Sequence, residues 1–387
     1  MILSHPRFFD SISMIKYADF LSQGLSSRGH QTDMATAKPL FSRLSFSSSS
    51  KKWLGYLDQF LVFPLAFRRT MRKLPQDTLF VFADHALGPW IPLVKNRPHV
   101  VHCHDFMAQR SALGEIPENE VGFTGKMYQS YIRWGYRKAE NFICISEKTR
   151  ADLHQFLAKD PKHSVVVYNG LNQNFEPAEI SRCREQLGAE WKIDTSRGYI
   201  LHVGGNQFYK NRTAVIRIYA KWRENTNSSI PLILVGQAPT QELLKVQQET
   251  SFAKDIHFLD QVGDEGLRRF YAGATLLLFP SLDEGFGWPI AEAMASGCPV
   301  VTIDKPPMNE VGGGHCFYLP QYPNDETQIQ VWLDEAAGVI DSVYNMPDDQ
   351  RLEFTAAARA YSAKFDAQET VQNLETIYLE ILNSYRS

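Results

Sequence analysis

No stretch of the 387-residue chain holds the about 18 consecutive apolar residues that a membrane-crossing helix needs. Nor does its start resemble a secretory leader. A polar HPRFFDS follows only two or three apolar residues, with no charged region or apolar core ahead of it, so the sequence predicts a cytoplasmic protein. Cysteine is scarce: Cys103, Cys144, Cys183, Cys298 and Cys316 are odd in number and scattered, without a CxxC pair, which argues against a disulfide framework, a redox pair or a zinc site. Three of them lie in apolar surroundings and read as buried thiols. An Asp-x-Asp metal motif at a strand end is also missing, so no metal is expected.

Strong charge of one sign is absent as well, the formal net charge being −3. That balance hides an asymmetry. Residues 1–178 hold 22 Lys and Arg against 15 Asp and Glu, a net of +7, and the remainder nets −10. The basic half suits an anionic partner, such as a lipid pyrophosphate, a phosphorylated glycan or a membrane surface, or else merely carries solvated helix faces. Nothing in the pattern points to a nucleic acid. With 44 % hydrophobic and 21 % charged residues the composition is that of a globular enzyme, and the length suits two domains of about 150–200 residues.

The most informative stretch is 274–303. Ala274–Pro280 and Pro299–Ile303 are short apolar runs with too few polar positions to be half-exposed, as inner strands of a parallel sheet require. Between them Gly285 and Gly287 flank Phe286, Pro289 stands at a first helical position and Gly297 at a C-terminal stop, which predicts a short helix over 289–296. Its N-terminus would open at the carboxyl end of a strand, where open α/β sheets bind ligands, with free N–H groups facing an anion such as a diphosphate. Two carboxylates bracket the loop. Glu284 is placed to accept hydrogen bonds from sugar hydroxyls and Glu292 to hold a ribose diol, although a solvated loop acid and a dipole-stabilised first-turn acid are the plainer alternatives.

The string SLDEGFGWPIAEAMASGCPVV resembles the donor-site signature of retaining glycosyltransferases of family 4, whose fold is GT-B. FLDQVGDEGLRRFYAGATLLLFPS before it and NEVGGGHCFYLP after it resemble the same family's element order. Weaker likeness, in LSQGLSSRGHQTDMATA, ISEKTRADL and VVVYNGLNQNFEP, extends over most of the chain. The resemblance implies two doubly wound, Rossmann-like α/β domains facing across a crevice: 1–178 on the acceptor side, joined by a final amphipathic helix from 367–387, and 179–366 on the donor side.

By the same resemblance the activity is transfer of a sugar from a UDP- or GDP-linked donor to a hydroxyl of a glycan, lipid-linked or small-molecule acceptor, in polysaccharide or glycoconjugate biosynthesis, with no cofactor. Gly204 and Gly205 would approach the diphosphate and Lys210 would reach the same phosphates. Glu284, with the Gly285, Phe286, Gly287 and Trp288 backbone, would hold the sugar and phosphates, Glu292 the ribose, and Val262 the base. His104 would face the reaction centre, making His104, Lys210 and Glu284 the catalytic set.

Two departures stand out. Many relatives carry an arginine directly after the first glycine, where this chain has Gly205, so Arg212 is a candidate substitute. The family's Gly-Gly loop after the first strand is replaced by RFFDSISM, leaving Asp10, Ser11 and Ser13 as weak acceptor-side candidates. A sugar-nucleotide epimerase, a phosphorylase and a noncatalytic binding protein remain open alternatives.

Other segments read more plainly. The Ser-rich 42–50 tract predicts an exposed, mobile loop. From Lys51 to Lys73 an apolar, aromatic body lies between basic flanks; Pro64 favours a core helix with exposed ends over a helix in a membrane interface, though peripheral contact at the inner face of a membrane stays open. In VVHCHDF, His102 and His104 share one strand face, which fits a metal site or buried structural histidines.

Overall fold

The computed structural model describes residues 1–9, 12–171 and 173–386, and for Ile12, Ser48 and Ser49 the backbone only. Contacts divide the chain into two compact units, Met1–Asn172 with Ala367–Ser387, and Gln173–Asp366.

Among its described residues, unit 1 carries a six-stranded parallel sheet of β1 (Ile2–Leu3), β2 (Met34–Ala35), β3 (Phe80–Phe82), β4 (His99–Cys103), β5 (Asn141–Cys144) and β6 (His163–Val166), in the order β2-β1-β3-β4-β5-β6. Its helices are α1 (Ile12–Ser27), α2 (Ser48–Leu57), α3 (Phe63–Met71), α4 (Met107–Ala112), α5 (Phe123–Tyr136) and α6 (Glu147–Phe156). Side chains alternate across the sheet as a period of two demands. Phe80 and Phe82 enter one core with Trp90 and Tyr136, while Val81 and Ala83 enter another with Ala18 and Leu21 of α1.

In unit 2 the strands are β7 (Ile200–Gly204), β8 (Leu232–Gly236), β9 (Ile256–Leu259), β10 (Leu276–Phe279), β11 (Val300–Ile303) and β12 (Phe317–Leu319), all parallel and ordered β12-β11-β10-β7-β8-β9. Around them lie α7 (Ile180–Trp191), α8 (Arg212–Asn225), α9 (Gln241–Gln248), α10 (Asp264–Gly273), α11 (Trp288–Ala295), α12 (Met308–Gly312), α13 (Ile329–Tyr344) and α14 (Asp348–Ser362). The last helix, α15 (Ala367–Arg386), returns to unit 1, where Leu374, Tyr378 and Ile381 join the α1 side of that core.

Strand order fixes where each sheet can bind. Unit 1 reverses direction between β1 and β3, and unit 2 between β7 and β10; the loops leaving a parallel sheet part at such points and open a crevice beyond the strands' carboxyl ends.

Two local expectations differ from the structure. The Ser-rich tract is not a loop throughout: Ser47 caps α2, its hydroxyl accepting from Ser50 N at 3.1 Å while the Ser50 hydroxyl accepts from Ser47 N at 2.9 Å, a reciprocal pair that stabilises a helix start. Lys51–Lys73 is a core helix with exposed ends only in part: Phe63 and Phe67 enter the core, but the opposite face is open to solvent. It runs through α2, a π-turn over Asp58–Val62 and α3, with Pro64 harmless in the first turn of α3, and Trp53, Leu57, Leu61 and Leu65 are exposed along its length.

Candidate functional site

The switch point of unit 2 gathers the loop after β7, residues 205–211, and the loop after β10, residues 280–287. Pairing is tight at its base. Gly204 of β7 stands opposite Gly236 of β8, whose φ is +148°, and a Cβ at Gly236 would collide with the Gly204 carbonyl, so only glycine lets the strands close here.

The two loops are stitched together. Leu282 N donates to the Tyr209 carbonyl at 2.7 Å and the Lys305 ammonium donates to the Leu282 carbonyl at 2.8 Å. Across this stitch Lys210 Nζ donates to Glu284 Oε1 at 2.6 Å, with side chains only 14 % and 10 % exposed. The Ser281 hydroxyl stands 2.6 Å from the same Oε1, so Lys210 and Ser281 converge on one oxygen of the carboxylate. An ion pair this short and this shielded is charge-assisted and orients both groups. Lys210 Nζ also lies 5.4 Å from the Tyr209 ring centre and 5.1 Å from that of Phe279, which confines the ammonium further.

Glu292 sits one turn into α11, which starts after Gly287 at φ +101° with Pro289 in its first turn. The Tyr271 hydroxyl of α10 donates to Glu292 Oε2 at 2.7 Å. Burial raises the Glu292 carboxyl to about 7, against the pull of the Tyr271 hydrogen bond and the Lys210 charge, both of which favour the carboxylate. Phe286 is buried, packed edge-on against Phe365 and Trp288, so its ring anchors the loop.

Arg212, the first residue of α8, is buried and turned into the fold. One guanidinium nitrogen donates to the Gln237 carbonyl at 2.9 Å and to Asn206 Oδ1, while Asn206 N donates to Gln237 Oε1 at 2.9 Å, which locks Gly205 between the β7 and β8 loops. Its Nε and Nη2 have no partner among the described residues, and burial pushes its pKa down to about 10. Val262 lies farther along the same sheet end, after β9, between Gln261 at φ +55° and Gly263, the cap of α10.

The structure therefore brings Lys210 and Glu284 into contact, sets Gly204, Gly205 and Gly285–Trp288 around them, and holds Glu292 one helical turn away. His104 belongs to unit 1. Its Nε2 donates to the Ala83 carbonyl at 2.8 Å and its ring stands edge-on to Tyr17, with burial lowering its pKa. His102 is held by two tyrosine hydroxyls, Tyr17 at 2.8 Å and Tyr378 at 2.6 Å, and burial pushes it down to about 3, the environment of a neutral structural histidine. Among the described residues no group of three His, Cys, Asp or Glu side chains is arranged to hold a metal ion. Asp10 and Ser11 lie outside the described residues, and Ser13 is exposed.

A further group sits at the switch point of unit 1. Asp84, after β3, accepts His5 Nε2 at 2.8 Å on one oxygen and pairs with His85 Nδ1 at 2.9 Å on the other. Burial opposes the charge on Asp84, yet the two imidazoles hold its carboxyl well below the ordinary range; burial likewise opposes charge on His85, and Asp84 outweighs it to raise that histidine. Of this group, His5 escaped the sequence reasoning, its only signal being its place just beyond the first strand.

Comparison with known proteins gives a consistent picture. The pattern of the family Glycosyl transferases group 1 matches residues 184–315, and that of Glycosyltransferase Family 4 matches residues 16–175. The O-antigen chain mannosyltransferase RfbU of Salmonella typhimurium is 25 % identical over 67 % of this chain and 64 % of its own. The O-antigen chain mannosyltransferase B of Escherichia coli is 30 % identical over 64 % and 61 %. These matches thus span somewhat less than two thirds of the relatives' own length. Among solved structures, Anabaena HepE in complex with UDP and glucose superposes with a TM-score of 0.70 at 18 % identity, over 97 % of this chain and 98 % of its own. WaaG, a glycosyltransferase involved in lipopolysaccharide biosynthesis, does so at 0.68 and 14 %, over 97 % and 99 %.

Proposed function

The chain belongs to glycosyltransferase family 4 and has a two-domain, Rossmann-like GT-B fold, and from that premise we propose that it transfers a sugar from a nucleotide-sugar donor to a hydroxyl of a glycan, lipid-linked or small-molecule acceptor. The observation that carries this reading is the shielded Lys210–Glu284 pair at the switch point of unit 2, a cation and a hydroxyl acceptor fixed side by side. Family relatives whose names place them in O-antigen assembly support a role in polysaccharide or glycoconjugate biosynthesis. The reading includes retention at the anomeric carbon, a cytoplasmic setting and no cofactor beyond the donor.

In this reading Lys210 Nζ and the N–H groups at Gly204, Gly205 and the start of α11 stabilise negative charge on the departing nucleotide diphosphate, the largest contribution available to such a site. Glu284 accepts hydrogen bonds from hydroxyls of the donor sugar, and the carboxylate of Glu292 accepts from the ribose. The bond from the anomeric carbon to the diphosphate oxygen breaks, the acceptor oxygen bonds to that carbon on the same face, and the acceptor's proton passes to the released phosphate oxygen. The basic charge of unit 1 suits an anionic acceptor. Arg212 serves by holding the β7 and β8 loops in place.

Thermal-shift measurements with UDP, GDP, ADP and their sugars test the donor half. Binding at a ligand concentration about 100 times its Kd adds about 2.7 kcal/mol to the native state, a clear rise in Tm. Lys210→Ala removes a charged hydrogen bond to the ligand, worth about 1.5–3 kcal/mol, so the nucleotide Kd should rise roughly ten- to a hundredfold. No rise with any nucleotide in the wild-type protein would remove the basis of the reading. Release of free nucleotide from the matching sugar nucleotide, with a glycan product, separates transfer from epimerisation and phosphorolysis.

A further inference from the structure

Large apolar side chains are exposed far more densely on one face of unit 1 than elsewhere. Among the described residues, 12 of the 18 exposed large hydrophobics fall within residues 40–65 and 123–134. Trp53, Leu57, Leu61 and Leu65 recur every four residues along the helical run from α2 through the π-turn to α3, which keeps them on one stripe. Phe123, Met127, Tyr131 and Trp134 form a matching stripe on α5, with Phe123 77 % exposed and Trp53 57 %.

The stripes are neighbours. Tyr56 packs against Tyr128 with ring centres 5.2 Å apart, and Phe60 against Tyr131 at 5.5 Å, so the two helical segments meet along an aromatic seam and both stripes flank it.

Exposed charge along the helical segments of this face has one sign. Between Asp33 and Asp77 the chain has eight Lys and Arg and a single acid, Asp58. That acid is buried, its carboxylate accepting the backbone N–H groups of Leu40, Phe41 and Ser42 at 2.8–3.0 Å, so it pins the preceding loop instead of facing solvent. Residues 121–139 add four basic residues and no acid, while Glu115, Glu118 and Glu120 lie in the connection before α5. Lys51 and Lys52 are exposed at one end of the first stripe, and Arg68, Arg69, Arg72 and Lys73 at the other. No helix among the described residues is long and apolar enough to cross a membrane.

We infer that this face docks unit 1 onto the surface of a bilayer bearing anionic headgroups, with the aromatic and aliphatic stripes entering the interface and the basic residues lying at headgroup level. Charge complementarity selects the occupant. A second copy of the chain would set twelve like charges against twelve, whereas a lipid surface with anionic headgroups neutralises them while accepting the apolar stripes. Nothing in this inference depends on the sugar-transfer reading.

The test is co-sedimentation of the full chain with vesicles of phosphatidylcholine alone and of phosphatidylcholine mixed with phosphatidylglycerol, with tryptophan emission recorded in parallel. Binding to the mixed vesicles, weaker on phosphatidylcholine and weaker at high salt, with a blue shift of the emission, is expected. Leu61→Ser and Met127→Ser should each lower vesicle affinity by about tenfold, since each removes an aliphatic side chain from the interface. Arg68→Gln and Arg69→Gln should lower it by about fivefold each. Because all four side chains face solvent, the variants should keep the wild-type Tm and any nucleotide-induced shift, which separates failure here from failure of the donor site. Absence of binding, binding untouched by the two apolar substitutions, or a dimer that those substitutions dissolve would each overturn the inference.

Discussion

Glu292→Gln removes a carboxyl that burial holds at about 7 against an ordinary value of 4.5, while leaving an oxygen for the Tyr271 hydroxyl to bond. Between those two pH values the folded chain binds a proton that the unfolded chain releases, so the wild-type protein loses stability as pH rises through the window and the loss is complete above about 7. A difference of 7 − 4.5 pH units corresponds to about 3 kcal/mol at pH 8. Glutamine has no such penalty. For a unit the size of Gln173–Asp366, each kcal/mol moves Tm by about 2–4 °C, which places the variant roughly 6–12 °C above wild type near pH 8 without nucleotide. Near pH 5 the gap should shrink to under about 1 kcal/mol, because that pH lies only just above the ordinary carboxyl value of 4.5 at which the folded and unfolded chains begin to differ in bound protons. Thermal scans across that range read the effect directly. A variant less stable than wild type at pH 8, or a gap independent of pH, would refute the reasoning, since either would mean that the site stabilises the Glu292 carboxylate instead of opposing it.

Two substitutions elsewhere read other parts of the argument. Asp84→Asn leaves His5 and His85 without their shared carboxylate; breaking a buried charge pair costs about 3–5 kcal/mol, and because the Asp84 pKa is depressed that cost, measured by urea unfolding, should be largest at neutral pH and vanish in acid below the ordinary carboxylate range. The proposed sugar transfer should fall with it, while any nucleotide-induced rise in Tm, which the proposal assigns to unit 2, stays. Gly236→Ala should destabilise by more than about 2 kcal/mol in the same unfolding assay, since it combines a strained φ of +148° with a collision against Gly204.

How much of this was legible beforehand follows from how local each feature is. The runs around Leu276–Phe279 and Val300–Ile303 read as inner strands because a strand covered on both faces shows no polar alternation, and Gly287 with Pro289 marked the start of α11 within one residue. The site residues were readable singly, through their spacing around one loop. Their partnerships were not: Lys210 and Glu284 lie 74 positions apart, His5 and Asp84 lie 79 apart, and no short-range pattern announces such pairs. Arg212 shows the same limit, since its commitment to Asn206 and Gln237 depends on how two neighbouring strands end. The serine tract misled for a different reason. Serine competes with helical backbone nearly everywhere and supports it only at a cap, and Ser47 and Ser50 happen to occupy that geometry.

The return of α15 to unit 1 bears on how the molecule is made. Leu374, Tyr378 and Ile381 complete a core begun by Ile2, Ala18 and Leu21, and the Tyr378 hydroxyl closes on His102 of β4. A ribosome delivers those three side chains only after the whole of unit 2, so the first half of the message encodes a unit that must wait, with one side of its sheet covered only in part by α1, while the second half is translated and free to fold. Nascent unit 1 is then the stage at which a chaperone has most to shield, and an early stop within α15 would harm the half of the protein that was synthesised first.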